Sequence, residues 1–241
     1  MADNVGQITQ LSGDSLTTID DTFSLSNLTI LSTLNFPDLT DVDTINWVAL
    51  PALQGLSFTT GVQKASSVMI QNTQLNSLDG INLQEVDTMV LAENNYLEDI
   101  NMQLGNVTTA LTIEANGRDV QVSFPNMEWA FNMTFRNVST VDIPSLASVN
   151  GSLGFYSSYF SSLAAPNLTS VGGSLSFVSN QDLNNVSMPE LKTVNGGFQI
   201  ANCTEYKVIN GFPALATISG ALDFYGNFTR CVTICRSAVK Q

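Results

Sequence analysis

The chain has 241 residues, of which only 12% are charged, and its eight basic against twenty-one acidic residues give a formal net charge of −13 at pH 7. Nucleic acids and anionic membranes are bound through clustered lysine and arginine, so this balance argues against both as partners. Histidine is absent, which removes the usual general base and the commonest zinc ligand. We therefore expect no metal and no cofactor.

The chain offers no membrane span of its own. No apolar run reaches the ~18–20 residues that a membrane-spanning helix needs, and the first ten residues lack the basic start and apolar stretch of a signal peptide. These features fit either a cytosolic protein or a mature fragment of a secreted protein behind an added methionine, and we favour the fragment.

Pairs of apolar residues separated by one position recur along the whole chain, and their second members are spaced by 20 to 24 residues. The ten pairs are Phe23/Leu25, Ile45/Trp47, Val68/Ile70, Met89/Leu91, Leu111/Ile113, Met133/Phe135, Leu153/Phe155, Leu175/Phe177, Phe198/Ile200 and Leu222/Phe224. A period of this size is typical of stacked coils. The period predicts one domain over residues 1–241, with coils from about 10 to 230 and a cysteine-containing C-terminal cap over 228–241.

Each pair is predicted to lie on a strand, because alternate side chains of an extended segment face opposite sides. A single coil cannot bury its inward pair, whereas stacking in a parallel ladder removes each side chain from water. The segments between strands are rich in Asn, Pro and Ser, which disfavours a helix and favours a second sheet or extended face. We predict an all-β fold, a right-handed parallel β-solenoid or leucine-rich-repeat-like receptor L-domain with about ten coils of 20–24 residues.

The corners after and before these strands carry repeated residue types. Asparagine follows the strand by two or three residues at Asn27, Asn72, Asn94, Asn116, Asn137, Asn180, Asn202 and Asn227. We predict that these side chains point inward and bond the backbone of adjacent coils; the alternative is a row of ligand-binding amides. Glycine precedes the strand at Gly151, Gly172, Gly196 and Gly220, where we expect corners with positive φ.

Nine Asn-x-Ser/Thr sequons are present, against about five expected by chance from the composition. Glycans need exposed positions in a secreted chain. The favoured candidates are four sequons assigned to loops, Asn106, Asn150, Asn167 and Asn185, and one facing outward on its strand, Asn132. The less favoured sequons are those that share the predicted inward corner row, Asn27, Asn137, Asn202 and Asn227.

Three cysteines, Cys203, Cys231 and Cys235, lie in the last two coils, where an open solenoid end needs closing. They are candidates for a disulfide, and the spacing allows either a Cys203–Cys231 or a Cys231–Cys235 bridge.

Catalysis would need suitably placed acids. Glycoside hydrolysis uses two carboxylates about 5–10 Å apart, and the candidates are Glu93 with Glu114 and the adjacent Asp20 and Asp21. A lyase of this shape would need a catalytic arginine and calcium-binding aspartates, and Arg118 with Asp119 alone is too little to indicate one. We interpret these acids as surface charge and expect no enzyme; the alternative is a parallel β-helix polysaccharide hydrolase or lyase.

The outward strand positions are small and mostly neutral. Ser152, Ser174 and Ser176 form a possible ligand strip with Tyr156 and Tyr225 at its edge. Such a strip could dock a glucan chain or another protein.

These residues also carry a family resemblance. Leu175-x-Phe177-x-x-Asn180-x-x-Leu183-x-x-Val186 is a leucine-rich-repeat-like phrase in which a second apolar step replaces the helix, and it resembles the receptor L-domain. With Asn-Gly-Phe-Pro at 210–213 and Gly-Asn-Phe-Thr at 226–229, the chain is similar, over about residues 10–230, to the fungal GPI-anchored cell-wall-organisation proteins, the sporulation-specific wall protein family.

The resemblance implies a non-catalytic extracellular glycoprotein needed for the organisation and integrity of the cell wall. It implies a location in the fungal wall or on the outer surface of the plasma membrane. The expected partner is wall glucan or a wall or surface protein. Membrane attachment is expected only through a GPI anchor of the precursor.

Overall fold

The computed structural model describes residues 2–3 and 6–232, and the regular structure of these residues consists of strands. In chain order the strands are β1 (Ala2–Asp3), β2 (Gln10–Ser12), β3 (Thr18–Ser26), β4 (Thr33–Asn35), β5 (Asp41–Leu50), β6 (Leu56–Ser57), β7 (Ser67–Thr73), β8 (Glu85–Ala92), β9 (Asp99–Asn101), β10 (Asn106–Glu114), β11 (Gln121–Ser123), β12 (Trp129–Arg136), β13 (Thr140–Asp142), β14 (Ser148–Val149), β15 (Leu153–Tyr156), β16 (Ser162–Ala164), β17 (Ser170–Val171), β18 (Leu175–Val178), β19 (Asn185–Ser187), β20 (Thr193–Val194), β21 (Phe198–Ala201), β22 (Val208–Ile209), β23 (Thr217–Ile218), β24 (Leu222–Tyr225) and β25 (Arg230–Cys231).

Two faces of the coil carry strands. The long face is a fifteen-stranded sheet in the order β1-β3-β5-β7-β8-β10-β12-β14-β17-β20-β23, with β15, β18, β21 and β24 continuing from β12. The other face carries three short sheets, β2-β4-β6, β9-β11-β13-β16-β19 and β22-β25. Neighbouring strands are parallel in both faces. The predicted all-β parallel solenoid of about ten coils, with a second sheet instead of helices, is therefore confirmed.

The predicted apolar pairs stack in register. Leu153 pairs with Leu175, and Phe155 pairs with Phe177; the same one-to-one register joins all ten pairs. From the second coil to the ninth, every member of these pairs exposes 1% or less of its surface. Each buried aliphatic or aromatic side chain contributes roughly 1.5–3 kcal/mol, so this double column is the core of the solenoid.

The asparagines that follow the strands occupy two columns, which corrects the prediction of one inward row. Two residues past the strand pair, the chain takes a left-handed conformation, and the asparagines there point outward: Asn27, Asn72, Asn137 and Asn202, with φ between 54° and 59°. Asparagine tolerates this conformation better than most residues. One residue further on, the side chain points inward, and there Asn94, Asn116 and Asn180 are buried. Asn227, in the last described coil, is exposed.

The inward asparagines form the predicted interior ladder. The Nδ2 of Asn116 donates to the carbonyl oxygen of Leu91 (2.8 Å), and its Oδ1 accepts from the backbone and side-chain nitrogens of Asn94 (both 3.1 Å). Asn94 in turn donates to the oxygen of Ile70 (2.9 Å) and accepts from the hydroxyl of Thr73 (2.7 Å). These bonds satisfy backbone groups that the turns leave buried.

Cys203 takes the place of an asparagine in this inward column. Its Sγ lies 3.6 Å from the carbonyl oxygen of Phe177, and burial raises the pKa of its thiol. Cys203 is free, so the Cys203–Cys231 bridge allowed by the spacing is not formed. Cys231 is disulfide-bonded. Cys235 and most of the predicted cap lie outside the described residues.

The strand-preceding glycines have a different role from the one predicted. Among the described glycines, positive φ occurs at Gly61 and Gly80 (80° and 97°), and the four corner glycines do not share it. They are required instead because coils approach closely: a Cβ on Gly172 would overlap the carbonyl oxygen of Asn150, and one on Gly196 would lie 2.6 Å from the carbonyl carbon of Gly173. At these corners the long strand breaks into two, as in β17 and β18.

Candidate functional site

A groove of about 1110 Å³ runs along the first five coils, on the side where the long strands begin. It is lined by Thr18, Ile19, Asp20, Asp41, Val42, Asp43, Gln63, Lys64, Ala65, Ser66, Asn82, Gln84, Glu85, Val86, Asp87, Asn101, Met102 and Gln103. Five of these side chains are carboxylates, five are amides and one is a lysine. The groove is therefore polar, acidic and rich in hydrogen-bonding groups.

Strand irregularities lie at both ends of the groove. In β3, Ile19 pairs with Val42 and Thr22 with Thr44. Asp20 and Asp21 therefore lie opposite the single residue Asp43 and form a β-bulge. A second register shift interrupts β10 between residues 107 and 110. Bulges bend and twist a strand, which shapes a concave surface beside an otherwise flat ladder. Buried valine and alanine form the floor and leave the polar side chains on the walls.

Hydroxyl groups and one cation hold the carboxylates of the groove in place. The Ser66 hydroxyl donates to Asp43 (2.8 Å) and the Thr108 hydroxyl donates to Asp87. Asp41 accepts from the hydroxyl of Thr40 (2.6 Å) and pairs with the ammonium of Lys64 (3.1 Å). These two donors, the hydroxyl first, hold the pKa of Asp41 below its ordinary value.

This groove was not predicted from the sequence. Asp20 and Asp21 were interpreted as an isolated pair, although Asp43 and Asp87 fall at the same position of later coils. The recurrence of acids at one repeat position was the available signal. What the sequence did not reveal is that the bulges would make this position line a cavity.

The predicted ligand strip is not one continuous open surface. Ser152 is exposed and Tyr225 exposes 69% of its surface, but Ser174 and Tyr156 are half-buried and Ser176 exposes 9%. The Ser152 hydroxyl already accepts from the backbone nitrogen of Ser174 (3.1 Å). The two ends of the strip are therefore accessible and its centre is not.

Tyr156 closes the middle of the strip. Its ring folds over Gly154, where a Cβ would collide with the ring. The guanidinium carbon of Arg136 lies 5.0 Å from the centre of the same ring, and its Nε lies 3.5 Å from the Glu114 carboxylate. Cation–π and ionic contacts thus link three neighbouring coils on the outer face.

The acids considered for catalysis are not gathered in an enclosed site. Glu114 is engaged with Arg136, and Glu93 sits at an exposed left-handed corner with φ 57°. Asp20 and Asp21 are exposed in the bulge, and Arg118 lies 5.2 Å from the ring centre of a tyrosine. Among residues 2–3 and 6–232, no group of three or more His, Cys, Asp or Glu side chains is placed to hold a metal ion.

The structure places the nine sequons in different surroundings. Six of these asparagines are exposed, namely Asn27, Asn150, Asn167, Asn185, Asn202 and Asn227, and three are half-buried, namely Asn106, Asn132 and Asn137. Asn106 and Asn185 were predicted to lie in loops, but they begin strands β10 and β19. Which sequons carry glycans remains a prediction.

The fold and the groove define a class: a parallel β-solenoid with an open, acidic, elongated surface. In the part of the chain that the structure describes, no helix is long and apolar enough to cross a membrane. No family profile matches the chain, and no solved structure matches it.

Known proteins are nevertheless similar over most of the chain. Over 222 residues, 92% of this chain, it is 47% identical to the "Cell surface GPI-anchored protein" of Arthroderma benhamiae and 46% identical to "Protein ecm33" of Aspergillus fumigatus, covering 57% and 55% of those proteins. It is 35% identical to "Cell wall protein ecm33" of Schizosaccharomyces pombe over 193 residues, which are 80% of this chain and 40% of that protein. The chain spans about half the length of the relatives it matches.

The homologues of the chain are fungal GPI-anchored cell-surface, Ecm33 and sporulation-specific wall proteins. The family resemblance drawn from the sequence is thereby confirmed.

Proposed function

We propose that the chain is a non-catalytic extracellular module of the fungal cell wall or outer plasma-membrane surface, which contributes to wall organisation by holding wall polysaccharide in its groove. The names of the homologues support the cell-wall role and the location. The observation that carries the binding role is the open groove along five coils, lined by amide and carboxylate side chains.

The chemistry of the groove favours a neutral or cationic sugar polymer. Carboxylates accept hydrogen bonds, and amides both donate and accept them, so together they suit the hydroxyl groups of a glucan. Five carboxylates against one lysine would repel an anionic polymer. Five coils at about 4.8 Å spacing span on the order of 20 Å, which suits a chain of several sugars better than a single one.

The same geometry argues for binding without cleavage. The catalytic acid of a glycosidase usually lies in an enclosed, apolar site. Asp43 and Asp87 instead accept hydroxyl hydrogen bonds and are exposed. The rival function, hydrolysis or lysis of a wall polysaccharide, would need product release from that polymer.

Calorimetric titration with a soluble β-glucan tests the proposal. The double variant Asp43→Asn with Asp87→Asn keeps the shape and removes two charged acceptors, so we expect binding about tenfold weaker. Asp142→Asn is the matched control, because Asp142 also accepts from a serine of the neighbouring coil (Ser123, 3.2 Å) but lies on the other face. Its affinity should be unchanged.

Two outcomes would count against the proposal. Equal affinity in the double variant would show that the groove does not hold the glucan. Release of reducing sugars that the double variant abolishes would establish the hydrolase instead.

A wall or surface protein is the second candidate partner, and the exposed end of the strip favours it. Tyr225 exposes 69% of its surface on the last described strand of the long face. The variant Tyr225→Ser should then weaken binding of an isolated wall protein and leave glucan binding unchanged.

A further inference from the structure

The sequons are distributed unevenly along the solenoid. One, at Asn27, lies in the first 105 residues, and the other eight begin at Asn106 or later. An N-glycan is joined to the asparagine Nδ2 and must extend into solvent. The surroundings of each carboxamide therefore distinguish positions that can carry a glycan in the folded protein from those that cannot.

Two of the corner sequons, which were disfavoured because an inward position was predicted for them, are accessible glycosylation sites in the structure. Asn27 and Asn202 adopt left-handed φ values of 54° and 55° and are exposed. The inward role at these corners belongs to the following residues, Leu28 and Cys203, which are fully buried. A glycan on the corner asparagine would thus leave the interior column undisturbed.

Two sequons favoured from the sequence are poor sites in the structure. The Oδ1 of Asn132 accepts from the backbone nitrogen of Ser152 (2.8 Å), and a Cβ on Gly151 would collide with that oxygen. The Oδ1 of Asn106 is buried. The carboxamide of Asn132 bonds both neighbouring coils, and the carboxamide oxygen of Asn106 is shielded from solvent, so a glycan at either position would displace packed atoms.

Asn137 is a corner residue but is also packed. It is half-buried, and its Nδ2 donates to the carbonyl oxygen of Ser157 in the next coil (3.3 Å). Asn167 makes a similar contact, to the carbonyl oxygen of Pro144 (2.9 Å), but its side chain is exposed. The burial of Asn137, and not its hydrogen bond alone, therefore places it with the two packed strand sequons.

We propose that N-glycans occupy the six exposed sequons and that Asn106, Asn132 and Asn137 stay bare. Five of these glycans then lie on the last four coils. The sixth, on Asn27, follows the end of β3, whereas the groove residues 18–20 lie at its start, so the groove of the first five coils stays open. This inference rests on the proposed extracellular location, since sequons are glycosylated in secreted chains.

Secretion of the chain from a yeast and site mapping by enzymatic deglycosylation in heavy-oxygen water test the proposal. We expect the isotope label at the six exposed asparagines, with occupancy at least tenfold higher than at the three packed ones. Asn202→Gln should remove the mass of one glycan from the intact protein, whereas Asn132→Gln should remove none.

The failures are distinguishable. Glycans on Asn106 or Asn132 of the folded, secreted protein, with bare corners, would overturn the site assignment and leave the location intact. A secreted chain without any glycan would overturn both. Glucan affinity that rises on enzymatic deglycosylation would contradict the open groove.

Discussion

The first and second halves of the solenoid share one core but differ in the charge and the type of their outward residues. Residues 1–120 contain fifteen acidic and two basic residues, whereas residues 121–241 contain six of each, so the whole net charge of −13 lies in the first half. The first half carries the groove, whereas the second carries seven of the nine sequons and the four closely packed corner glycines Gly151, Gly172, Gly196 and Gly220. The difference teaches that the inward column sets the fold, while the outward residues of each coil are free to take different functions.

The core columns also differ between the halves. Phe135, Phe155 and Phe177 stack with ring centres 5.4 and 5.3 Å apart in the second half. The equivalent column of the third to fifth coils is aliphatic, Ile70, Leu91 and Ile113. Stacked rings add to the burial energy of each side chain, so the second half should depend more strongly on single core residues.

The largest expected effect is the loss of one stacked ring. Phe155→Ala should lower the free energy of unfolding by about 3–5 kcal/mol, because it removes a fully buried ring that contacts both neighbouring coils. Leu91→Ala, the equivalent change in the first half, should cost about 2–4 kcal/mol. Chemical denaturation of both variants measures the difference, and a cost below about 1 kcal/mol for Phe155→Ala would contradict the stacked column.

A glycine corner should give the next largest effect. Gly172→Ala places a methyl group against the Asn150 carbonyl oxygen, and we expect a loss of about 2–3 kcal/mol from overpacking. Gly55 in the first half is the matched control, since a Cβ there would meet no atom within 4 Å. Thermal unfolding should show Gly55→Ala unchanged within about 0.5 kcal/mol; equal losses in the two variants would refute the close-approach explanation.

The two halves should respond to opposite ends of the pH scale. Burial raises the pKa of Tyr206, in the second half, to about 12. The folded state then retains a proton that the unfolded state releases, so stability is full below pH ~10 and falls by at most about 2–3 kcal/mol as the pH rises towards 12. Unfolding measured between pH 9 and 11 should show this decline, and Tyr206→Phe should reduce it; an unchanged decline in the variant would exclude Tyr206 as its cause.

In the first half, the lowered pKa of Asp41 makes the stability change with pH in the opposite direction. The Asp41 carboxylate stabilises the folded state at neutral pH, and this stabilisation is lost as the pH falls below about 4 and through the lowered pKa. Asp41→Asn should therefore flatten the acid side of the stability profile slightly and leave the alkaline side unchanged.

The smallest expected difference separates the two asparagine columns. Asn116→Ala leaves the Leu91 oxygen and the Asn94 nitrogen buried without their partner, at a cost of about 2 kcal/mol. Asn72→Ala, at the outward left-handed corner, should cost about 1 kcal/mol through backbone strain alone. Denaturant midpoints of the two variants provide the measurement, and the reverse order would contradict the assignment of columns.

Most of the core could be predicted because one inward pair repeats every 20 to 24 residues, and strand alternation then fixes what is buried. The asparagine columns could not be separated, because a shift of one residue past the strand moves a side chain from outside to inside. Asn27 and Asn94 illustrate this: one follows its strand pair by two residues, the other by three.

Features that depend on packing between coils could not be predicted from the sequence. The role of Gly172 follows from how closely the backbone of the preceding coil passes, which no local motif records. The burial of Ser176 and the folding of Tyr156 across the strip depend on neighbouring coils. The groove required both the recurrent acids and the bulge at Asp20 and Asp21, and the sequence indicated only the acids.

Hydrogen–deuterium exchange of the intact chain with and without a saturating soluble β-glucan tests the central claim most directly. We expect added glucan to slow exchange in the segments that line the groove, residues 62–66, 82–87 and 101–103, and to leave exchange in the second half unchanged. Slower exchange confined to the strip at residues 152–156 and 174–176, or no change at a concentration that saturates binding, would contradict it.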